Sequence, residues 1–273
     1  MAPSTLPAMK TNPKFIFFSD FDGTITTRDS NDFLTDNLGY GEKLRKQGNQ
    51  DVLHERMSFR DSFQGMMDSV KTPYDKCIQT LVENIKLDPH FKEFYDWARQ
   101  NNIPVVILSS GMVPIIRGLL VHLLGPVGEE IQIVSNDVAP RDGKSINEEG
   151  KFPLERYKRK RNYMLIDVNS HFGHDKSIEI RAYQQLPDSE RPVMFYAGDG
   201  VSDLSAAKET DLLFAKKHHD LVTYCVKQDV PFTEFEDWSS ILATVKKIAA
   251  GETDVKKVAA EGHEAFKKEN SKN

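Results

Sequence analysis

"FIFFSDFDGTIT", residues Phe15 to Thr26, begins as a short run of large apolar side chains and then sets two aspartates two positions apart, Asp20 and Asp22. The run reads as a buried strand. Paired carboxylates at its end are costly, because each charge opposes ionisation of the other. A bound cation is the obvious compensation.

Working outward, the pattern recurs. "IPVVIL" (103–108) leads into "SSG", "IQIV" (131–134) into "SND", "VMFY" (193–196) into "AGDG", and "DLLFA" (211–215) into a charged stretch. Each run is rich in β-branched or aromatic residues and short enough for a buried strand. Helical patterns lie between them. "VPIIRGLLVHLLG" ends on Gly125 as a C-cap, and "KSIEIRAYQQL" and "DLSAAKET" follow. Strands alternating with helices predict an α/β fold: a parallel sheet covered on both faces, with functional loops at the carboxyl ends of the strands. Residues 30 to 100 differ. There "NDFLTDNLG", "SFRDSFQGMMDSV" and "DKCIQTLVENI" read as a small helical insertion, and "HFKEFYDWARQ" as a helix returning to the sheet. Residues 136 to 172 read as a loop or hairpin excursion with an "RDG" turn and a basic run, "RYKRKR" (156–161), a solvated face ahead of a localisation signal or phosphate patch. The tail from Gly251 is charged and reads as frayed.

The 273 residues are 39% hydrophobic, enough for one sizeable core with a small satellite. A net charge of -5 gives no reason to expect nucleic acid as a partner. The first residues, "MAPSTLPAMKTNPK", lack the apolar stretch of a secretory signal, and no apolar run reaches the ~20 residues that span a bilayer. Cys77 and Cys225 stand alone, as inert thiols in a reducing compartment. The expectation is a cytoplasmic protein, with a nuclear fraction left open and no membrane partner.

Four polar motifs follow the strands in order: "DFDGT" (20–24), "SSG" (109–111), Lys176 in "GHDKS", and "GDGVSD" (198–203). Asp20 and Asp199 at strand ends supply oxygen to one hard cation, and oxygen-only, carboxylate-poor coordination suits Mg2+. The cation holds a substrate phosphate against Asp20 and keeps that carboxylate ionised. Asp20 then attacks phosphorus and forms an aspartyl-phosphate. Asp22, on the same side of the chain, protonates the leaving oxygen and later takes a proton from the hydrolysing water. The pair titrates as a coupled unit. Ser109 offers a hydroxyl, and the amides of Ser110 and Gly111 reach phosphate oxygens at a helix start. Lys176 opposes the charge of the transferring group. Asp203 orients Lys176 or a water on the metal. Gly23 gives room to turn, and Thr24 bonds back to hold the carboxylates.

These four motifs resemble those of phosphatases of the haloacid-dehalogenase-like superfamily. The resemblance implies a Rossmann-like doubly wound core over 13–30 and 90–248 and a helical C1 cap over 31–89 of the phosphoserine-phosphatase type; the ends, 1–12 and 249–273, are expected to be flexible. It also implies the backbone carbonyl of Asp22 as a further metal ligand. An aspartate two positions after the nucleophile marks phosphoryl transfer in that superfamily, and Asp22 fits. "DFDGTITTRDSNDFLTD", "SSGMVPII", "FGHDKS" and "GDGVSDLSAAKETDLLFAK" are similar to a fungal group associated with polyol-phosphate phosphatases, and also to the methylthiopentenyl-phosphate phosphatases of methionine salvage. The implied substrate is a small phosphorylated metabolite, a polyol phosphate first, with phosphoserine or a methionine-salvage enol phosphate as alternatives. In phosphoserine phosphatases an acidic residue nine positions after the nucleophile and a cap arginine grip the substrate. Asp29 stands at that offset, with Asn31 beside it, and Arg60 opens a cap helix.

Each signal has a plainer reading. Asp29 caps a helix, and Arg60 is solvated. "GDGVSD" is a turn with Asp203 as a cap. His171 and His174 are incidental rather than a metal pair, and His218 and His219 lie at the surface. Phe63, Met66, Met67 and Val70 form a helical stripe that packs a core, as does Trp97. A phosphotransferase, such as a mutase, and a catalytically silent binding module remain as competing functions. The intact Asp20 and Asp22 weigh against silence.

Overall fold

A computed structural model of the chain describes residues 6–138, 154–155 and 175–270. The "RDG" turn, the basic run 156–161, His171 and His174 lie outside the described residues. The chain divides into two compact units: 1–25, 87–108 and 176–273 form the first, 26–86 and 109–175 the second.

The first unit is built on β1 (Phe15–Ser19). It pairs in parallel with β2 (Val105–Met112) on one side and β5 (Val193–Gly198) on the other; β6 (Leu212–Lys216) and β7 (Thr233–Phe235) continue outward, also in parallel. Ile16, Phe17 and Phe18 are wholly buried, because helices cover both faces of the strand. On one face Phe17 meets Phe94 of α5 (Phe91–Gln100) and Trp238 of α10 (Trp238–Ala249). On the other, Phe18 meets Tyr183 of α7 (Ser177–Gln184) edge to face. The parallel α/β architecture expected from the apolar runs is therefore present. β2 runs further than its apolar stretch suggested: "SSG" lies inside the strand.

The second unit carries α1 (Ser30–Leu38), α2 (Glu42–Leu53), α3 (Phe59–Ser69) and α4 (Tyr74–Asn84), followed by α6 (Val113–Leu124) and β3 (Gln132–Val138). The stripe Phe63, Met66, Met67 and Val70 is buried, as core. Arg45 of α2 fastens this bundle: its guanidinium lies 2.6 Å from Asp32 and takes Asp36 through two hydrogen bonds of 2.7 and 2.8 Å. The polar excursion contributes β4 (Leu154–Glu155), antiparallel to the end of β3.

Two terminal stretches differ from the sequence expectation. Near the start, Ala8 and Met9 are buried in a short turn of 3-10 helix. Near the end, α11 (Val255–Asn270) is helical. Its composition is charged, but Val258 is buried and Phe266 packs edge to face on Phe232. A Cβ on Gly262 would stand 2.9 Å from the carbonyl oxygen of Phe232 and would strike Thr233 Oγ1. A glycine at that point lets the helix approach the β7 edge closely. No helix among the described residues is long and apolar enough to cross a membrane. Gly262→Val should lower stability by about 1–3 kcal/mol, the usual cost of overpacking. A urea titration measures this, and an unchanged midpoint would show that the approach is slack.

Candidate active site

The acidic site grows from the ends of β1 and β5 in the first unit. Asp20 follows β1 directly, and its N–H donates to Ala197 of β5 over 2.9 Å. Lys176, at the start of α7, is fully buried. Its ammonium donates to Asp20 Oδ1 over 2.8 Å and to Asp203 Oδ1 over 2.5 Å. Asp203 is itself saturated. Tyr196 donates its hydroxyl to Oδ1 over 2.5 Å, and the amides of Asp199 and Gly200 donate to Oδ2, each over 3.0 Å. A Cβ at Gly198 would stand 2.5 Å from the Asp203 carboxyl carbon, so the strand can end this close only on glycine.

Asp199 is held differently. Thr24 donates to its Oδ1 over 3.3 Å, and His219 lies with Nδ1 3.1 Å from its Oδ2. Gly23 has φ +77°, a left-handed conformation, and a Cβ there would strike Asp199 Oδ2. The indole N–H of the buried Trp238 donates to the carbonyl of Thr24 over 2.9 Å, anchoring that turn from below. Asp22 is buried in the same turn.

The electrostatics follow from burial. Desolvation, with the Asp203 charge next, pushes the Asp20 carboxyl well above its usual range, and Lys176 only partly opposes this. Burial also disfavours the Lys176 charge, but Asp20 and Asp203 outweigh it and hold the ammonium protonated above its ordinary value. Burial, then Asp203, lifts the Tyr196 phenol well above the ordinary tyrosine value. The two cysteines are buried, and each thiol is pushed up to about 12 by desolvation, which leaves them unreactive.

One carboxylate oxygen from each of Asp20, Asp199 and Asp203 lies within 4.8 Å of the others. The donor set suits a hard cation, since it is oxygen throughout. Asp203 has its oxygens committed to four N–H and O–H donors. Asp20 Oδ2 makes no hydrogen bond among the described residues, so Asp20 and Asp199 are the available pair. Two carboxylates match the sparing protein ligation that Mg2+ takes.

The remaining sequence-predicted residues belong to the second unit. Ser109 Oγ accepts from Gly111 N–H over 3.0 Å. Ser135 and Asn136 of β3 donate to the carbonyls of Gly111 and Ser110, each over 2.7 Å. Ser110 Oγ is buried without a hydrogen-bond partner among the described residues. Asp29 caps α1: its Oδ1 accepts from the amides of Asn31 and Asp32, each over 2.8 Å. Asn31 is buried, and Arg60 is exposed on the first turn of α3.

Sequence reasoning missed Tyr196, Trp238 and the contact of His219. For the first two a signal existed, since a tyrosine or tryptophan within a buried element needs a partner for its polar atom.

The chain belongs to the haloacid dehalogenase-like hydrolase family, whose sequence model it matches over residues 17–208. It is 47% identical over 249 residues to the polyol phosphate phosphatase PYP1 of Saccharomyces cerevisiae, covering 89% of this chain and 97% of that protein. It is 48% identical over 232 residues to the Pdp3-interacting factor 1 of Schizosaccharomyces pombe, covering 85% of this chain and 94% of the relative. Among solved structures, a phospho-aspartyl intermediate analogue of phosphoserine phosphatase superposes with a TM-score of 0.55 at 16% identity, over 85% of this chain and 98% of that one. That likeness shows a shared fold.

Tyr196→Phe removes one donor from a buried carboxylate and should cost about 1.5–3 kcal/mol, the range for hydrogen bonds to charged groups. The folded chain keeps the Tyr196 proton where an unfolded tyrosine, with its ordinary value of 10.0, releases it. This contribution is therefore complete below that value and is lost as pH rises through the higher folded one. Urea melts across the alkaline range should show a flatter loss of stability for Tyr196→Phe than for the parent. Equal slopes would refute the assignment.

Proposed function

We propose that this chain is a Mg2+-dependent phosphatase that hydrolyses small phosphomonoesters through an aspartyl-phosphate on Asp20, with polyol phosphates as substrates. The observation that carries the reading is the buried Lys176 ammonium bridging Asp20 and Asp203. A fixed positive charge at a carboxylate without other side-chain donors among the described residues suits a nucleophile that must receive a phosphoryl group. The substrate class is supported by the name of the yeast relative at 47% identity.

In the first half-reaction an Asp20 oxygen bonds to phosphorus while the bond to the leaving alkoxide breaks. Asp22 gives that alkoxide its proton. In the second, water attacks phosphorus, Asp22 takes its proton, and the acyl-phosphate bond breaks to regenerate Asp20 and release phosphate. Lys176 balances charge on the phosphoryl oxygens throughout. Asp20, Asp199 and the Asp22 carbonyl would hold Mg2+, which when bound polarises the phosphoryl oxygens and keeps Asp20 ionised. Ser109, Ser110 and Gly111 are proposed to grip the phosphate; the support within their own unit is the buried Ser110 hydroxyl, which has no hydrogen-bond partner among the described residues. For substrate choice the reading keeps Asn31, Asp29 and Arg60. The cap bonds of Asp29 favour hydroxyl recognition by its neighbours over an ionic clamp on an amino acid.

Asp20→Asn should abolish turnover in the folded protein, and excess chelator should do the same to the parent. Appreciable hydrolysis in either case would sink the mechanism. Asp22→Asn should slow alkyl phosphates by ~10²–10⁴-fold, the range of a general acid–base group, and aryl phosphates with good leaving groups much less. Equal losses would make Asp22 structural. A panel of polyol phosphates, sugar phosphates, phosphoserine and a methionine-salvage enol phosphate, ranked by kcat/KM, tests the substrate. A clear preference for phosphoserine or the enol phosphate would replace the polyol and leave the chemistry standing.

A further inference from the structure

Helix α9 (Asp220–Lys227) starts beside the acidic site, and the segment leading into it does more than connect β6 to a helix. We propose that His219 in this segment is a positioning residue that sets how tightly Asp199 holds a divalent cation. The inference rests on the metal reading above and adds to it a residue outside the four motifs.

Three observations converge. The first is the contact itself, with Nδ1 3.1 Å from Asp199 Oδ2. A carboxylate only accepts, so the facing ring nitrogen carries the hydrogen. The second is that the same segment also grips the Asp199 backbone, since Leu221 N–H donates to the Asp199 carbonyl over 2.9 Å. The third is how the chain reaches this geometry. His218 has φ +65°, a left-handed conformation uncommon for a residue with a side chain. The turn is closed by His219 N–H donating to Lys216 O over 3.2 Å. The backbone thus adopts an unfavourable conformation immediately before the ring that meets Asp199. Packing does not explain that ring, whose side chain is 43% exposed.

The consequence is geometric. Thr24 holds Oδ1 of Asp199 and His219 holds Oδ2, so the carboxylate is fixed from both ends and cannot rotate about its own bond. Each oxygen has a further lone pair for a cation. A ligand held this way is already oriented, and loss of such a partner typically weakens metal binding 10–100-fold.

The test uses the full chain freed of metal, with Mn2+ as the probe and the free-ion paramagnetic resonance signal as the readout, in the absence of substrate. His219→Ala should weaken Mn2+ binding by about 10–100-fold. His219→Asn keeps an N–H donor within reach and should recover most of that loss. The Mg2+ concentration for half-maximal hydrolysis should rise in His219→Ala by a similar factor. Circular dichroism melts establish that both variants fold. Equal Mn2+ binding by parent and His219→Ala overturns the inference alone, as does an equally weak His219→Asn. A parent that hydrolyses phosphomonoesters in excess chelator and binds no Mn2+ overturns the inference and the metal reading together.

Discussion

A lysine side chain with no solvent exposure sits at the centre of the acidic cluster, and most of the hydrogen bonds around it make that tolerable. Removing an ammonium from water costs several kcal/mol even after relaxation, and the cost is recovered only where opposite charges and hydrogen bonds meet it in good geometry. Asp20 and Asp203 supply the charges. Asp203 in turn would be an expensive buried carboxylate were it not met by Tyr196, by two backbone amides and by Lys176 itself. Gly198 follows from the same requirement, because a side chain there would occupy the space of the Asp203 carboxyl. The motif "GDGVSD" thus reads as a single device in which the last aspartate is consumed by structure, accepting four hydrogen bonds, while the first is held at its edge by Thr24 and His219.

The sheet explains why these groups can be held so closely. β1 is buried on both faces, so its end is a rigid platform rather than a loop tip. The aromatic cluster of Phe17 with Trp238 and Phe94 carries that rigidity to α10, and Trp238 returns it to the site through its bond to the Thr24 carbonyl. Asp88 completes the brace. It accepts from the Trp238 amide over 3.1 Å and pairs with Lys216, while its own N–H bonds to the carbonyl of Ile25 over 2.7 Å. Burial lifts the Asp88 carboxyl despite Lys216. Such an arrangement persists because its partners come from three separate stretches of chain.

How much of this was legible in the sequence depended on whether the determining physics is local. Strands buried on both faces must be apolar throughout, so "FIFF", "VMFY" and "DLLFA" announced themselves. The cap helices did so through amphipathic spacing, and Asp29 through helix-start chemistry that was weighed beside its functional reading. β7 escaped because three residues, Thr233–Phe235, make no recognisable period. Helix α11 escaped because its docking residues, Val258, Gly262, His263 and Phe266 among them, are scattered through a charged stretch. His219 reads as a surface residue from its charged neighbourhood, and its side chain is partly exposed. Its contact with Asp199 depends on the left-handed turn at His218, a tertiary choice that residue identity does not reveal. Tyr196 was visible as buried, but its partner lay seven residues on, across a turn.

Charge balance sets the final constraint on the site. Asp20, Asp199 and Asp203, all ionised, set three negative charges against the single positive charge of Lys176 within one small volume. The surplus falls on Asp20 and Asp199, since Asp203 is matched by its donors. Burial, with the Asp203 charge next, drives the Asp20 carboxyl upward, and Lys176 only partly opposes it. On the mechanism proposed above Asp20 must be ionised, and that calls for a further positive charge of about the size of the surplus. A phosphate dianion would make the imbalance worse. The site therefore fits a divalent cation and its phosphate ester as a pair, each lowering the cost of the other. In that account the protein's task is to hold two carboxylates in fixed positions for them, which is the work that Lys176, Thr24 and His219 divide.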